Sequence, residues 1–104
     1  MKKKLIQILL PLQDEKDKSF PQELYTKLRS ELTNKFGGIT IYTRSPATGL
    51  WKNENDHIER DTIVIYEVIA ESFDRSYWHN HKAYLEDQFK QDELIIRSMD
   101  VDVL

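Results

Sequence analysis

Four side chains in this sequence are of types that bind or transform small molecules. They are Arg44, Trp51, Glu67 and His81. An arginine contacts anions, a tryptophan forms a pocket wall, and a glutamate accepts hydrogen bonds. A histidine changes charge near neutral pH and can therefore pass a proton. We take these four as candidate ligand-binding residues, and the sequence assigns no catalytic residue.

The same side chains also allow an enzyme that needs no cofactor, such as an oxygenase or an isomerase. Glu67 or His81 would act as the general base. Arg44 or Arg97 would stabilise an enolate-like anion formed from a small aromatic or carbonyl substrate. This hypothesis requires a shifted pKa for Glu67 or His81 inside a closed pocket.

Metal and thiol chemistry lack the residues that they need. The sequence contains no cysteine, which excludes disulfides and thiolate catalysis. His79 and His81 are two residues apart, about 200° around a helix, so their side chains cannot share one ion. Gly37-Gly38 is not followed by the lysine of a phosphate-binding loop. We expect no metal and no tightly bound cofactor.

The charge pattern argues against nucleic-acid and membrane partners. The net charge is −3, and acidic and basic residues are interspersed without a basic stripe. The apolar stretch 5–12 is interrupted by Gln7 and Pro11 and is far shorter than the ~20 residues that span a bilayer. It also lacks a signal-peptide cleavage site. We interpret it as a first β-strand and expect a cytoplasmic protein.

The periodicity of apolar residues predicts six elements in the order β-α-β-β-α-β. The strands are predicted over 4–12, 39–44, 62–70 and 94–99, and the helices over 19–36 and 73–90. Ser19 and Gln22 form a capping-box pattern before the first helix, and Gly37 is its natural end. Ser72 or Asp74 would cap the second helix. Residues 45–49 read as a loop, after which the strand resumes into a long hairpin.

This order predicts one α+β domain of 104 residues with a ferredoxin-like fold: a four-stranded antiparallel sheet with two helices on one face. Both strand faces carry apolar residues; in the first strand Leu5 and Leu9 oppose Ile6 and Ile8. A large uncovered apolar face is unusual for a monomer. We therefore expect a second copy to cover it, which would give a homodimeric α+β barrel. The alternatives are that residues 45–61 fold over the sheet, or that another protein binds there.

A few polar residues interrupt the apolar strands, namely Gln7, Arg44, Glu67 and Arg97. A charge among apolar neighbours is costly unless it is paired. We therefore predict an ion pair between Glu67 and either Arg44 or Arg97.

Three segments carry a resemblance to known proteins: Phe36-Gly37-Gly38-Ile39-Thr40, Gly49-Leu50-Trp51 and Ile65-Tyr66-Glu67-Val68. With this FGGxT…GxW pattern the chain resembles a group of small, uncharacterised bacterial ferredoxin-like proteins. More loosely, it is similar to the dimeric α+β barrel superfamily, which includes cofactor-free monooxygenases, haem-degrading enzymes and small-molecule sensing domains. Trp78 with His79 or His81 does not follow the spacing of the haem-degrading members, so no haem role is carried over.

The residues and the resemblance together predict a homodimeric module that binds a small molecule or assists another protein. The cofactor-independent enzyme and the protein-interaction domain remain the alternatives. The residues to test first are Arg44, Trp51, Glu67 and His81.

Overall fold

The computed structural model describes residues 1–16, 18–52 and 58–104, without the side chains of 43–62. The elements are β1 (Lys2–Pro11), α1 (Gln22–Phe36), β2 (Thr40–Lys52), β3 (Ile58–Ala70), α2 (Arg75–Gln88) and β4 (Ile95–Asp102). Their order is the predicted β-α-β-β-α-β.

The four strands form one antiparallel sheet in the order β2-β3-β1-β4. The first strand of the sequence therefore lies inside the sheet, and β2 and β4 are its edges. Gln7 of β1 lies opposite Glu67 of β3 on one side and opposite Arg97 of β4 on the other. The predicted ferredoxin-like α+β fold is confirmed.

The hydrophobic core lies between one face of the sheet and the two helices. Alternate residues of β1 and β3 face it, because successive side chains of a strand point to opposite faces. The core residues that are at most 3% exposed are Ile6, Ile8, Leu10, Val64, Tyr66 and Val68 from the sheet, Leu28, Leu32, Trp78 and Leu85 from the helices, and Phe89 and Leu94 from the segment between α2 and β4. Neither of the two described helices covers the other face of the sheet.

Two of the three helix-end signals in the sequence are confirmed. Gly37 ends α1 with φ 83°, and its N–H donates to the Thr33 carbonyl over 2.8 Å, as predicted. Asp74 caps α2 by accepting from the Tyr77 N–H over 3.1 Å. The predicted Ser19 cap of α1 is wrong. The helix begins after Pro21 without a side-chain cap, and Ser19 instead pairs with Gln13 in an isolated bridge.

The predicted loop at 45–49 is also wrong, because β2 continues through it to Lys52. The pairing between β2 and β3 shifts register between Tyr42 and Ala47 and then runs on to Lys52 opposite Ile58. The irregularity that Pro46 introduces is thus accommodated within a strand. Residues 47–52 pair with β3 as a hairpin, which is a different arrangement from a cover folded over the sheet.

Candidate functional site

The sheet face without helices carries one row of linked polar side chains, one from each strand. The Tyr42 hydroxyl donates to Oε2 of Glu67 over 3.0 Å. Nε2 of Gln7 donates to Oε1 of the same carboxylate over 2.7 Å. Nε of Arg97 donates to Oε1 of Gln7 over 2.7 Å. We call Tyr42, Glu67, Gln7 and Arg97 the polar row.

The order of the strands explains why Gln7 is the link. Since β1 lies between β3 and β4, the Gln7 side chain separates Glu67 from Arg97. The predicted direct ion pair between Glu67 and Arg97 is therefore replaced by an amide bridge. The amide can bridge in one orientation only, with its NH₂ towards the carboxylate and its oxygen towards the guanidinium. The other predicted partner, Arg44, has its side chain outside the described residues.

The row carries two opposite charges, the Glu67 carboxylate and the Arg97 guanidinium, and Glu67 has the larger number of hydrogen bonds. Its carboxylate accepts from donors on both neighbouring strands, and hydrogen bonds to an ionised acceptor are stronger than neutral ones. The hydrogen bond from Tyr42 to this carboxylate raises the pKa of the Tyr42 phenol, because ionising the phenol would remove its donor proton and place two negative charges together. The Glu67 side chain is half-buried and Tyr42 is 47% exposed, so the row is open to a ligand at the β2 end.

Apolar side chains flank the polar row along the strands. The register places Leu9, Ile65 and Ile95 on one side and Leu5, Ile69 and Met99 on the other. Ile69, Met99 and Ile95 are 46%, 43% and 39% exposed. In the described part of the chain, the middle of the open face is thus apolar apart from one polar stripe, and the ion pair between Lys3 and Glu71 lies at its end. This agrees with the two apolar strand faces seen in the sequence.

The structure does not bring the four predicted site residues together. Glu67 lies on the open face, whereas His81 lies on α2, on the other side of the sheet, and is 8% exposed. Arg44 and Trp51 lie in the stretch whose side chains are outside the described residues. Tyr42 is not among the four predicted site residues, yet it completes the row. The alternation of β2 places its side chain on the same face as Thr40, and Ile41 points to the other face.

His81 is a buried histidine between the two helices. Its Nε2 lies 3.6 Å from Oε2 of Glu31 on α1, beyond hydrogen-bond distance, and neither ring nitrogen has a partner among the described residues. The rings of Tyr77, Trp78 and Tyr84 surround it at centroid distances of 5.3, 5.7 and 6.1 Å. Burial lowers the pKa of His81, and the nearby Glu31 carboxylate opposes that shift only in part.

A catalytic role for His81 needs a cavity that a substrate can enter. Two cavities in the described part of the chain, of about 490 and 380 Å³, are lined by other residues. The first lies between α2 and the β4 edge, and the second beside the end of β3. The pKa of His81 is shifted as the enzyme hypothesis requires, but the histidine is packed among aromatic rings instead of lining a pocket.

The described side chains, those of residues 1–16, 18–42 and 63–104, include no group of three or more metal-ligating residues close enough to hold an ion. Neither of the helices described there has the length and apolar composition needed to cross a membrane.

The fold and the open face define a ferredoxin-like α+β domain with an exposed polar row. Among solved structures, the chain is similar to a phage SAM lyase in complex with S-methyl-5′-thioadenosine, with a TM-score of 0.63 and 13% sequence identity over 93% of this chain and 80% of that one. At this identity the similarity concerns the fold. No protein-family profile matches the chain. No curated protein matches it either.

Proposed function

We propose that this protein is a homodimeric module that binds a small molecule between the open faces of two sheets. The observation that carries the proposal is the polar row, a hydrogen-bonded stripe flanked on both sides by apolar rows on the face that neither helix covers. Antiparallel sheets with one solvated face normally alternate to polar residues on that side. In the described part of this face, polar residues form the central row and the Lys3–Glu71 pair at the end of the sheet, and the rows between and beyond them are apolar.

The exposed apolar side chains support a protein partner on this face. Ile69, Ile95 and Met99 are each more than a third exposed and lie on both sides of the row. Exposed apolar patches rimmed by polar residues mark interaction surfaces. Sheets also pack face to face with their strands roughly aligned, about 30° apart, and bury the facing rows in a layer ~10 Å thick.

The order of charges along the row supports a second copy as that partner. A two-fold axis parallel to the strands would set β4 of one copy over β2 of the other. Arg97 would then face the partner's Tyr42 across the layer between the sheets, offset sideways from the partner's Glu67 by about one strand spacing, ~4.8 Å. An axis perpendicular to the strands would instead set like charges against each other. The row is thus self-complementary in one orientation, as a two-fold interface requires.

The chemistry of the face indicates the kind of ligand. The described contact of Arg97 uses Nε alone, and a guanidinium has four further N–H donors. The Glu67 carboxylate accepts from ligand hydroxyl or amino groups, and the flanking apolar rows would cover a flat ring. The ligand of the neighbouring phage lyase, S-methyl-5′-thioadenosine, combines such a ring with hydroxyl groups. It is the first ligand to test.

The dimer is tested by light scattering during size-exclusion chromatography, over a series of concentrations. We expect twice the 12.4 kDa of one chain. Arg97→Glu and Glu67→Arg should each give monomers, because each places like charges at the interface. Mixing the two variants should restore a dimer, since both contacts then join opposite charges. Wild-type monomers at all concentrations would refute the dimer and favour the protein-interaction alternative.

Ligand binding is tested by titration calorimetry with S-methyl-5′-thioadenosine. We expect saturable binding that weakens at least tenfold in Glu67→Gln, while the dimer mass stays unchanged. A dimer without saturable binding would refute this ligand class. Consumption of S-adenosylmethionine by the wild type but not by Glu67→Gln would show an enzyme acting on that compound, and would refute the binding module.

A further inference from the structure

We propose a second ligand site, in the cleft between α2 and the β4 edge, that binds a small organic anion with a flat apolar body. The cleft has a volume of about 490 Å³, within the ~300–1,000 Å³ of typical ligand pockets. It is separate from the polar row and stands whether or not the proposed function does. Ile96 lines the cleft, while its neighbour Arg97 lies on the opposite face of β4.

The floor of the cleft is apolar and rigid. Trp78, Phe73 and Ile96 form it. The Trp78 side chain is only 3% exposed and stacks on Phe36 of α1, with ring centroids 5.6 Å apart and planes 12° from parallel. Both Phe73 and Ile96 pack against the core. A floor held by the core keeps its shape without a ligand, which lowers the entropic cost of binding.

The rim of the cleft is polar and basic. Arg75, His79 and Lys82 are spaced at i, i+4 and i+7 and therefore lie along one side of α2. Ser76 and Asn80, one turn apart, add a hydroxyl and an amide. The residues described as lining the cleft include no aspartate or glutamate, so its charge favours an anion.

Arg75 is the side chain placed to contact that anion. Lys82 already binds two carboxylates, with Nζ 2.9 Å from Glu86 and 3.1 Å from Glu93. The guanidinium of Arg75 lies 5.8 Å from the centre of the Phe73 ring, at the edge of the apolar floor. A carboxylate or phosphate bound by this guanidinium would leave the attached ring over the floor. The planar fork of arginine suits either group in bidentate geometry.

The site can be tested with 2-naphthoate as the probe, followed by NMR of the ¹⁵N-labelled wild-type protein. We expect saturable shifts of the Trp78 indole N–H and the Asn80 side-chain amide. The neutral analogue 2-naphthamide should bind at least tenfold more weakly, because it lacks the charge. Arg75→Gln should weaken naphthoate binding at least fivefold, while Lys18→Gln, which removes a charge from an exposed loop, should not.

Three results would overturn the site. Equal binding of naphthoate and naphthamide would mean that the cleft selects no charge. Shifts centred on Ile69 and Met99 would place the probe on the open sheet face. The absence of saturable shifts at millimolar probe would exclude a site of useful affinity. None of these results depends on the dimer mass or on S-methyl-5′-thioadenosine, so failure of this site and failure of the proposed function are distinguishable.

Discussion

The carboxylate of Glu86 accepts the backbone N–H of Leu94 over 2.9 Å and thereby joins α2 to the residue that precedes β4. The same oxygen, Oε2, accepts from Nζ of Lys82, one helical turn earlier, also over 2.9 Å. Leu94 is 3% exposed, so its position decides how the chain enters β4. The half-buried Glu86 carboxylate therefore links α2 to the start of β4 by a hydrogen bond.

Removing the Glu86 acceptor should destabilise the protein in a graded way. Glu86→Gln keeps an oxygen for the Leu94 N–H but loses the charge, whereas Glu86→Ala loses both. We expect the midpoint of urea denaturation to fall from wild type to Gln and further to Ala, measured at pH 7 by circular dichroism. Equal midpoints for Gln and Ala would show that the Leu94 hydrogen bond contributes nothing.

The pKa of Glu86 gives this effect a pH dependence. The Leu94 N–H, and after it Lys82, lower the pKa of the Glu86 carboxyl below its ordinary value of 4.5. Its stabilisation is therefore complete above that value and is lost as the pH falls through the folded-state pKa. The difference in midpoint between wild type and Glu86→Gln should shrink below pH 4.

His81 should make the protein less stable in mild acid. Burial lowers its pKa below 6.5, so the unfolded chain binds a proton that the folded chain does not. Stability should be full above pH 6.5 and should fall towards pH 5. The groups that face the ring are Glu31 from α1 and the phenols of Tyr77 and Tyr84 from α2, and only Glu31 favours the proton.

Matched variants test this assignment. His81→Phe keeps an aromatic ring in the helix layer and should flatten the fall in stability between pH 6.5 and 5, measured by urea denaturation. His79→Gln, at an exposed position of the same helix, should leave the fall unchanged. If His81→Phe retained the full slope, another group would be responsible.

Tyr42 should report the charge on Glu67. The hydrogen bond to that carboxylate raises the Tyr42 pKa, so Glu67→Gln should lower it towards the ordinary value of 10.0. The hydrogen bond from Tyr42 to Glu67 therefore stabilises the wild type fully below pH 10. This stabilisation is lost as the pH rises through the Tyr42 pKa. NMR titration of ¹³C-labelled tyrosines measures the Tyr42 pKa in the wild type and in Glu67→Gln.

Tyr25 is the internal control for that titration. Burial raises its pKa to about 12, and its hydroxyl donates to the Pro11 carbonyl over 2.6 Å. It lies in the core, on the other side of the sheet from Glu67, and should not respond to Glu67→Gln. A change in the Tyr25 pKa alone, with the Tyr42 pKa unchanged, would contradict the hydrogen bond between Tyr42 and Glu67.

The two adjacent glycines should differ in their tolerance of a side chain. Gly37 has φ 83°, and a Cβ there would meet no atom within 4 Å, so only backbone strain opposes Gly37→Ala. We expect a loss of about 1 kcal/mol in the free energy of unfolding. Gly38→Ala, where the space is equally open and φ is not positive, should cost much less. Equal losses would contradict the left-handed cap.

The element order could be predicted because the periodicity of apolar residues is strong in every element. The extents of β2 and β3 could not. Residues 58–61 read Ile-Glu-Arg-Asp and carry no alternating apolar pattern. They are strand because β2 pairs with them, Trp51 opposite Glu59 and Leu50 opposite Arg60. Pairing of this kind depends on the partner strand, and a single segment does not encode it.

The sequence predicted which kinds of residue form the candidate site, but it did not predict which of them contact each other. A glutamate amid the apolar residues of a strand marked Glu67. Its partner depends on which strand lies beside β3, and the sequence does not show that β1 comes between β3 and β4. Glu67 and His81 were both selected as titratable candidates. The helix layer and the open face are on opposite sides of the sheet, so the two side chains do not share one site in this fold.

The central position of β1 has a consequence for how the chain folds. Gln7 must meet Arg97, 90 residues further on, before the sheet is complete. Domains dominated by such distant pairings fold more slowly than those built from local contacts, because long loops must close before the contacts form. The β2–β3 hairpin is local and can form early. We therefore expect docking of β1 and β4 to limit the folding rate, with the hairpin as the template on which β1 assembles.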